Sequence, residues 1–255
     1  MLQRRFAIAL ICSGLAAAVA VGGEARMRVY CVYHAAHGLR AIARDYQRET
    51  GVGLDFRLHC REHFDATANS LKDGDLFLTT DPKLFAKAKE RGLLASEPQR
   101  VGCVTPIIAV MKGNPHGIQS LADLGRKGLT VAYPSTCIGN VSLNVIARNH
   151  LDADVKPNMT LRTGNRTGVL KALVGGKAQA ALTWSCAVIE SGRKNVEMVP
   201  IPAEHNIIDP ILVAVLTSSG DRGRAQAFID HLRTDPVRKR LRAFRLLEEQ
   251  AEHGR

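Results

Sequence analysis

Patterns typical of strands and of helices alternate along the chain from residue 26 onward, with short links between them. The segment RMRVYCVY (26–33) is rich in β-forming residues, and LRAIARDYQRETG (39–51) follows with the spacing of an amphipathic helix. Strand VGLDFRL, helix HFDATANSLKDG, strand DLFLTT and helix DPKLFAKAKERGLL come next. Such alternation predicts an α/β fold in which a parallel sheet is covered by helices.

Two long apolar strands divide this pattern into two units. VTPIIAVMKGNP (104–115) and IIDPILVAVLTSS (207–219) are each long enough to run between lobes, and a second alternating unit lies between them. We therefore predict two α/β lobes joined by a two-strand hinge. Lobe I is discontinuous and consists of residues 26–106 and 211–255, and lobe II consists of residues 107–210. With 45% hydrophobic residues, each lobe can build its own core.

The first 25 residues have the pattern of a secretory signal peptide. Arg4 and Arg5 precede an apolar run from Phe6 to Val21, and the small-residue site Gly23-Glu24-Ala25 follows. The run is shorter than the ~20 apolar residues that span a bilayer, which argues against a retained anchor. We predict cleavage after Ala25 and a mature protein located in the periplasm.

The chain is basic, with 35 Lys and Arg against 24 Asp and Glu and a net charge of +11. Such an excess is found in proteins that bind nucleic acid, an acidic membrane surface or an anionic ligand. Export argues against nucleic acid, and so does an aromatic content of only 5%, which leaves no interleaved basic and aromatic stripe. We expect no nucleic-acid partner, and a basic solvated surface accounts for the charge.

Several strings resemble, in order, the periplasmic solute-binding proteins of ABC transporters, and the molybdate-type oxyanion binders most closely. They are VYCVYHAAHGLRAIARDYQRETGV, GDLFLTTDPKLFAKAKERGLL, TPIIAVMKGNPHGIQSLADLGRKGLTVAYPSTCIGN, AQAALTW and AQAFIDHLRTDPVRKRL. The resemblance covers nearly all of the mature chain. It implies the two-lobed periplasmic-binding-protein fold, with a ligand in the interlobe cleft and an ABC permease or a membrane sensor as partner. In that family, hydroxyls and backbone N–H groups from four loops hold the oxyanion. Those loops correspond here to Tyr33–Ala36, His59–His63, Ser135–Gly139 and Trp184–Ala187.

Cysteine and histidine occupy or adjoin each of these loops. His34 stands where a small hydroxyl residue or glycine is usual, and Cys31 precedes it. Cys60 lies between His59 and His63. Cys137 lies in the third loop and Cys186 in the fourth, and Cys103 begins the first hinge strand, from which it could reach the cleft floor.

This cysteine set favours a soft ligand. Cys60, Cys137 and Cys186 lie at predicted helix starts, where the helix dipole lowers a thiol pKa. Thiolates repel oxyanions and attract a thiophilic metal, a metalloid such as trivalent arsenic, or an iron-sulfur cluster. We predict a site for such a ligand, with Cys31, His34, His59 and His63 as additional ligands and four principal ones: Cys60, Cys103, Cys137 and Cys186.

The same residues allow other interpretations of the cysteines and of the ligand. The thiols could be buried and inert, or they could form disulfides, as exported cysteines normally do. The chain could then be a molybdate-like oxyanion binder, for which the ligand-binding candidates are Ser135, Thr136, Trp184 and Ser185. A third hypothesis is a redox protein that carries an iron-sulfur cluster. No catalytic triad is placed by spacing, so we expect a binding protein, present as a monomer, and not an enzyme.

Overall fold

The computed structural model describes residues 26–59, 71–135, 137–192 and 194–247, and it describes Cys137 and Ile138 by their backbone only. The predicted signal peptide lies outside these residues, as does most of the helix predicted over HFDATANSLKDG. In the ranges that are described, no helix combines the length and the apolar character needed to cross a membrane.

Ten strands and eight α-helices are described. The strands are β1 (Arg26–Val32), β2 (Gly53–His59), β3 (Leu76–Thr79), β4 (Gln99–Val104), β5 (Pro106–Met111), β6 (Val131–Pro134), β7 (Leu161–Thr163), β8 (Ala180–Trp184), β9 (Val196–Pro200) and β10 (Asp209–Val215). The helices are α1 (Tyr33–Thr50), α2 (Pro82–Glu90), α3 (Cys137–Arg148), α4 (Asp152–Val155), α5 (Arg166–Val174), α6 (Ser185–Glu190), α7 (Arg222–Leu232) and α8 (Asp235–Ala243).

The strands form two five-stranded sheets, one in each lobe. The first has the order β2-β1-β3-β10-β4 and the second the order β7-β6-β8-β5-β9. With helices on these sheets, the predicted two-lobed α/β fold is confirmed. The sheets are mixed, however, and not purely parallel as the alternation predicted.

One strand in each sheet is antiparallel to the other four. In both sheets it is the strand that follows a crossing of the chain from the other lobe. In the first sheet β10 is antiparallel to both of its neighbours, β3 and β4. In the second sheet β5 is antiparallel to both β8 and β9. The prediction of a parallel sheet failed at these strands because each follows a crossing between sheets and not a covering helix.

The chain crosses between the sheets at Thr105, and it returns between Pro200 and Asp209. The strand predicted over 104–115 is therefore divided into β4 and β5. Proline explains the break, because Pro106 has no N–H to donate and restricts the residue before it. Buried Asn206 donates from Nδ2 to the carbonyl of Pro106 at 2.9 Å, which ties the two crossings together. The lobe limits at residues 106 and 211 stay a prediction.

The helix boundaries follow local sequence signals. Gly51 ends α1 with a φ of 75°, a left-handed conformation that glycine adopts without strain. Asp81 caps α2 by accepting from the N–H of Lys83, with Pro82 at the first helical position. Asn165 caps α5 by accepting from the N–H of Gly168. These signals fix where α1 ends and where α2 and α5 begin.

Candidate functional site

Two helices that follow directly on parallel strands meet where the lobes touch. Helix α1 begins at Tyr33, immediately after β1 in lobe I, and α6 begins at Ser185, immediately after β8 in lobe II. Within the described residues, no side chain caps α1, and its first turn contains no acidic residue. The N–H groups of a first helical turn lack intrahelical partners and carry a partial positive charge. The edge where strands end and helices begin is also where α/β proteins bind ligands.

His34 connects the two lobes in the first turn of α1. Its side chain is only 6% exposed, and Nε2 lies 3.2 Å from the hydroxyl of Thr80, which follows β3 in lobe I. On the other side, the imidazole lies against the indole of Trp184, with 5.3 Å between ring centroids. Trp184 is itself buried at the end of β8. His34 is therefore packed between one residue of each lobe.

Near the first turns of α1 and α6, three hydrogen bonds among the described residues run from a lobe II side chain to a lobe I carbonyl. The Cys186 thiol donates to His34 O at 3.3 Å, and Arg166 Nη2 donates to Tyr33 O at 3.4 Å. The Ser185 hydroxyl donates to Arg245 O at 3.4 Å, in the turn after α8. These contacts hold the lobes against each other, which is a closed arrangement.

Of the three cysteines predicted at helix starts, Cys186 is the one whose side chain is described, and its thiol does not have the predicted chemistry. Cys31, Cys103 and Cys186 are all buried. Burial raises the pKa of Cys186 to about 12, and burial also raises the pKa of Cys31 well above its ordinary value. The lowered pKa predicted for Cys186 is therefore wrong. Desolvation outweighs the dipole of the six-residue helix α6, and the thiol is neutral at physiological pH.

Two of the described cysteines, Cys31 and Cys103, also lie apart in the lobe I sheet. Cys31 lies on β1 and Cys103 on β4, and two strands, β3 and β10, separate them in the sheet. Cys31 donates to the adjacent carbonyl of Val32 at 3.4 Å. Across the described ranges there is no group of three or more His, Cys, Asp or Glu side chains that could hold a metal ion. Metal ligation by this set stays a prediction without support from the geometry.

The second and third predicted loops are described only in part. His59 is buried at the end of β2, where its Nε2 lies 3.0 Å from Leu78 O and its ring packs on Phe77 at 5.3 Å.

Three of the predicted site residues lie outside the described residues: Cys60, His63 and Thr136. Cys137 is described by its backbone alone. Ser135 is exposed, and its N–H donates to Thr163 O at 2.7 Å, which aligns the ends of β6 and β7.

Sequence reasoning missed one pair of charged side chains at this site. Arg166, the first residue of α5, forms an ion pair with Glu190, the last residue of α6, at 2.6 Å. No motif marks the pair, because its members are 24 residues apart. A signal was nevertheless present: Asn165 is a capping residue at the end of a predicted strand, so the next residue had to begin a helix at the same sheet edge.

Comparisons with known proteins agree with this architecture. A family model described as bacterial extracellular solute-binding protein matches residues 27–244. The molybdate-binding protein ModA of Mycobacterium tuberculosis is 26% identical over 180 residues, which cover 70% of this chain and 67% of that protein.

Two solved structures resemble the fold. The substrate-binding domain of a putative molybdenum ABC transporter from Clostridium difficile gives a TM-score of 0.76 at 14% identity, covering 88% of this chain and 100% of that one. The periplasmic molybdate-binding protein of Azotobacter vinelandii gives a TM-score of 0.69 at 13% identity with the same coverage. The chain belongs to the bacterial extracellular solute-binding protein family and has the fold of its molybdate-type periplasmic members.

Proposed function

We propose that this protein is a periplasmic solute-binding protein that binds a small oxyanion of the molybdate type between its lobes. The observation that carries the proposal is the first turn of α1, which lies at the contact between the lobes without a capping side chain among the described residues. The N–H groups of a helix N-terminus, together with its partial positive charge, can form an anion site. In the proposed cycle, the ligand binds the open protein and the lobes close on it.

The charge balance at the lobe contact supports an anion over a soft cation. A neutral Cys186 thiol adds no negative charge beside the first turn of α1, and the guanidinium of Arg166 adds a positive one that Glu190 offsets in part. A cysteine repels an oxyanion only when its sulfur is ionised. Burial keeps the Cys186 thiol neutral, so this residue does not repel an oxyanion.

The relatives support the ligand class and the partner. The family match covers nearly all of the described chain, and ModA, the relative compared above, binds molybdate by its name. We infer that the partner is the membrane permease of an ABC transporter, to which the closed, loaded protein delivers its ligand. This role requires export, for which the predicted signal peptide of residues 1–25 would serve.

Ligand titrations of the protein that consists of residues 26–255 test the proposal. Molybdate, tungstate, sulfate and phosphate are added separately, and Tm and heat of binding are recorded. A ligand at 100 times its Kd stabilises a protein by about 2.7 kcal/mol, so a molybdate-type ligand should raise Tm by several degrees. Arsenite and Cu(I) are titrated anaerobically as the soft-ligand comparison. A Tm unchanged by all four oxyanions would contradict the proposal.

The variant Cys186→Ser separates oxyanion binding from metal binding. Serine keeps a donor for His34 O but is a poor ligand for soft metals. We expect this variant to bind molybdate or tungstate within about threefold of the unaltered protein, a change of under about 0.7 kcal/mol. Stoichiometric binding of a soft metal that is lost in Cys186→Ser would instead favour the thiophilic hypothesis.

A further inference from the structure

Arg166 reaches from lobe II to the first turn of α1 in lobe I. Its Nε and Nη2 both donate to Oε2 of Glu190, at 3.1 and 2.6 Å. Nη2 also lies 3.4 Å from the carbonyl oxygen of Tyr33. The guanidinium is therefore fixed by a carboxylate of its own lobe and lies against the opposite lobe.

The guanidinium has donors left over in this position. An arginine has five N–H donors in a rigid planar fork, a geometry suited to oxyanions. Glu190 and Tyr33 accept from Nε and Nη2, whereas the two N–H groups of Nη1 have no protein acceptor in the described part of the chain. The side chain is 19% exposed, so it is partly removed from water while two donors remain available.

Two sources of positive potential meet at this point. The first turn of α1, which includes Tyr33 and His34, carries the partial charge of the helix N-terminus, and Arg166 adds a full charge beside it. Glu190 orients the guanidinium and offsets part of that charge. An anion bound here would gain Coulomb energy in proportion to its own charge, and reduced exposure to water strengthens that interaction.

We propose that Arg166 is a specificity-determining residue that makes this site prefer dianionic oxyanions over monoanions of the same shape. This proposal rests on the proposed function and adds the charge of the ligand to it. The helix N-terminus carries only about half a positive charge, so the full charge of Arg166 is the larger contribution to the preference for the dianion. Glu190 is a positioning residue, because its carboxylate orients the Arg166 guanidinium.

Tungstate and perrhenate provide the test, because both are tetrahedral oxyanions of nearly equal size, with charges of −2 and −1. Isothermal titration calorimetry gives Kd for each with the unaltered chain and with Arg166→Gln. We expect Arg166→Gln to weaken tungstate binding by about tenfold or more, the effect of losing a charge-assisted hydrogen bond, and perrhenate binding by about threefold or less. Arg166→Lys, which keeps the charge, should retain most of the preference for tungstate.

The control is Arg148→Gln, which removes an exposed arginine from lobe II at the far end of α3. It should leave both affinities unchanged. Equal losses of tungstate and perrhenate binding in Arg166→Gln, or no loss of either, would overturn the role of Arg166 while leaving oxyanion binding in place. If the unaltered chain binds neither anion, the proposed function itself fails and this proposal fails with it. Circular dichroism checks folding, and Arg166→Met replaces the glutamine variant if that variant does not fold.

Discussion

The thiol of Cys186 donates a hydrogen bond to the main-chain carbonyl of His34, 3.3 Å away, and the two residues belong to opposite lobes. A carbonyl in the first turn of α1 is thereby held by a neutral sulfur at the start of α6. Opening of the lobes must break this bond and expose the thiol. Cys186 therefore offers a direct probe of the open and closed states.

Ligand binding should protect Cys186 from alkylation. In the closed protein the Cys186 side chain is buried and its pKa is raised to about 12, so reaction requires opening. We expect a saturating oxyanion to slow N-ethylmaleimide labelling of Cys186 by about tenfold or more, a shift of about 1.4 kcal/mol in the opening equilibrium. Peptide mass spectrometry measures the rate, and Cys31, fully buried in β1, is the internal control. Equal labelling of Cys186 with and without ligand would contradict a closure at this contact.

Trp184 should report ligand binding by its fluorescence. It is the only tryptophan in the chain, it is 1% exposed, and its indole lies 5.3 Å from the His34 ring of the other lobe. A change in lobe separation alters the polarity around the indole, so we expect ligand-dependent shifts in emission intensity. Trp184→Phe should bind ligand without that signal. Calorimetric binding with unchanged emission would show that Trp184 does not sense closure.

Gly139→Ala should damage the third loop. A Cβ at this position would lie 1.8 Å from the carbonyl oxygen of Pro134, a separation that the backbone must relieve by moving. We expect a loss of about 1–3 kcal/mol in the free energy of unfolding and weaker oxyanion binding. The control is Gly164→Ala in the same lobe, where a Cβ meets open space. Urea unfolding and calorimetry measure both effects, and equal behaviour of the two variants would refute the prediction.

His231 should make the protein less stable in mild acid. Burial lowers the pKa of His231 below its ordinary value of 6.5, against the opposing charge of Glu49. The unfolded chain then binds a proton more readily than the folded one, so this contribution is complete above about pH 6.5 and is lost as the pH falls below that value.

Unfolding in urea at pH 7.5 and at pH 5.5 tests the role of His231, which packs on Tyr46 at 4.8 Å between ring centroids. His231→Gln should lose less stability between the two pH values than the unaltered protein. His116→Gln, which removes an exposed histidine of the other lobe, is the control. If both variants keep the original pH dependence, His231 is not the responsible group.

The fold was predictable because strand and helix periodicities are local. The directions of β5 and β10 were not, because a strand's direction depends on the sheet it joins after a crossing. The charge state of Cys186 was mispredicted for a similar reason. Its position at a helix start can be read from the sequence, whereas its burial depends on the opposite lobe.

The contact between Arg166 and Tyr33 was missed because 133 residues separate them, and no short motif spans that distance. His34, Trp184, Ser185 and Cys186 were all selected through family resemblance, and the structure places them where the lobes touch. The resemblance selected residues that meet at the contact between the lobes, and tertiary packing determined the electrostatics there.

The position of β10 between β3 and β4 has a consequence for biosynthesis. A ribosome delivers the chain from its N-terminus, so β1, β2 and β3 emerge long before β10, while lobe II is an uninterrupted stretch between the two crossings. Until about residue 215 has emerged, the β3 edge of the growing sheet has no neighbouring strand, and its backbone groups can pair with other chains. A precursor crossing a membrane in extended form would avoid this hazard by delaying assembly until the last strand is present.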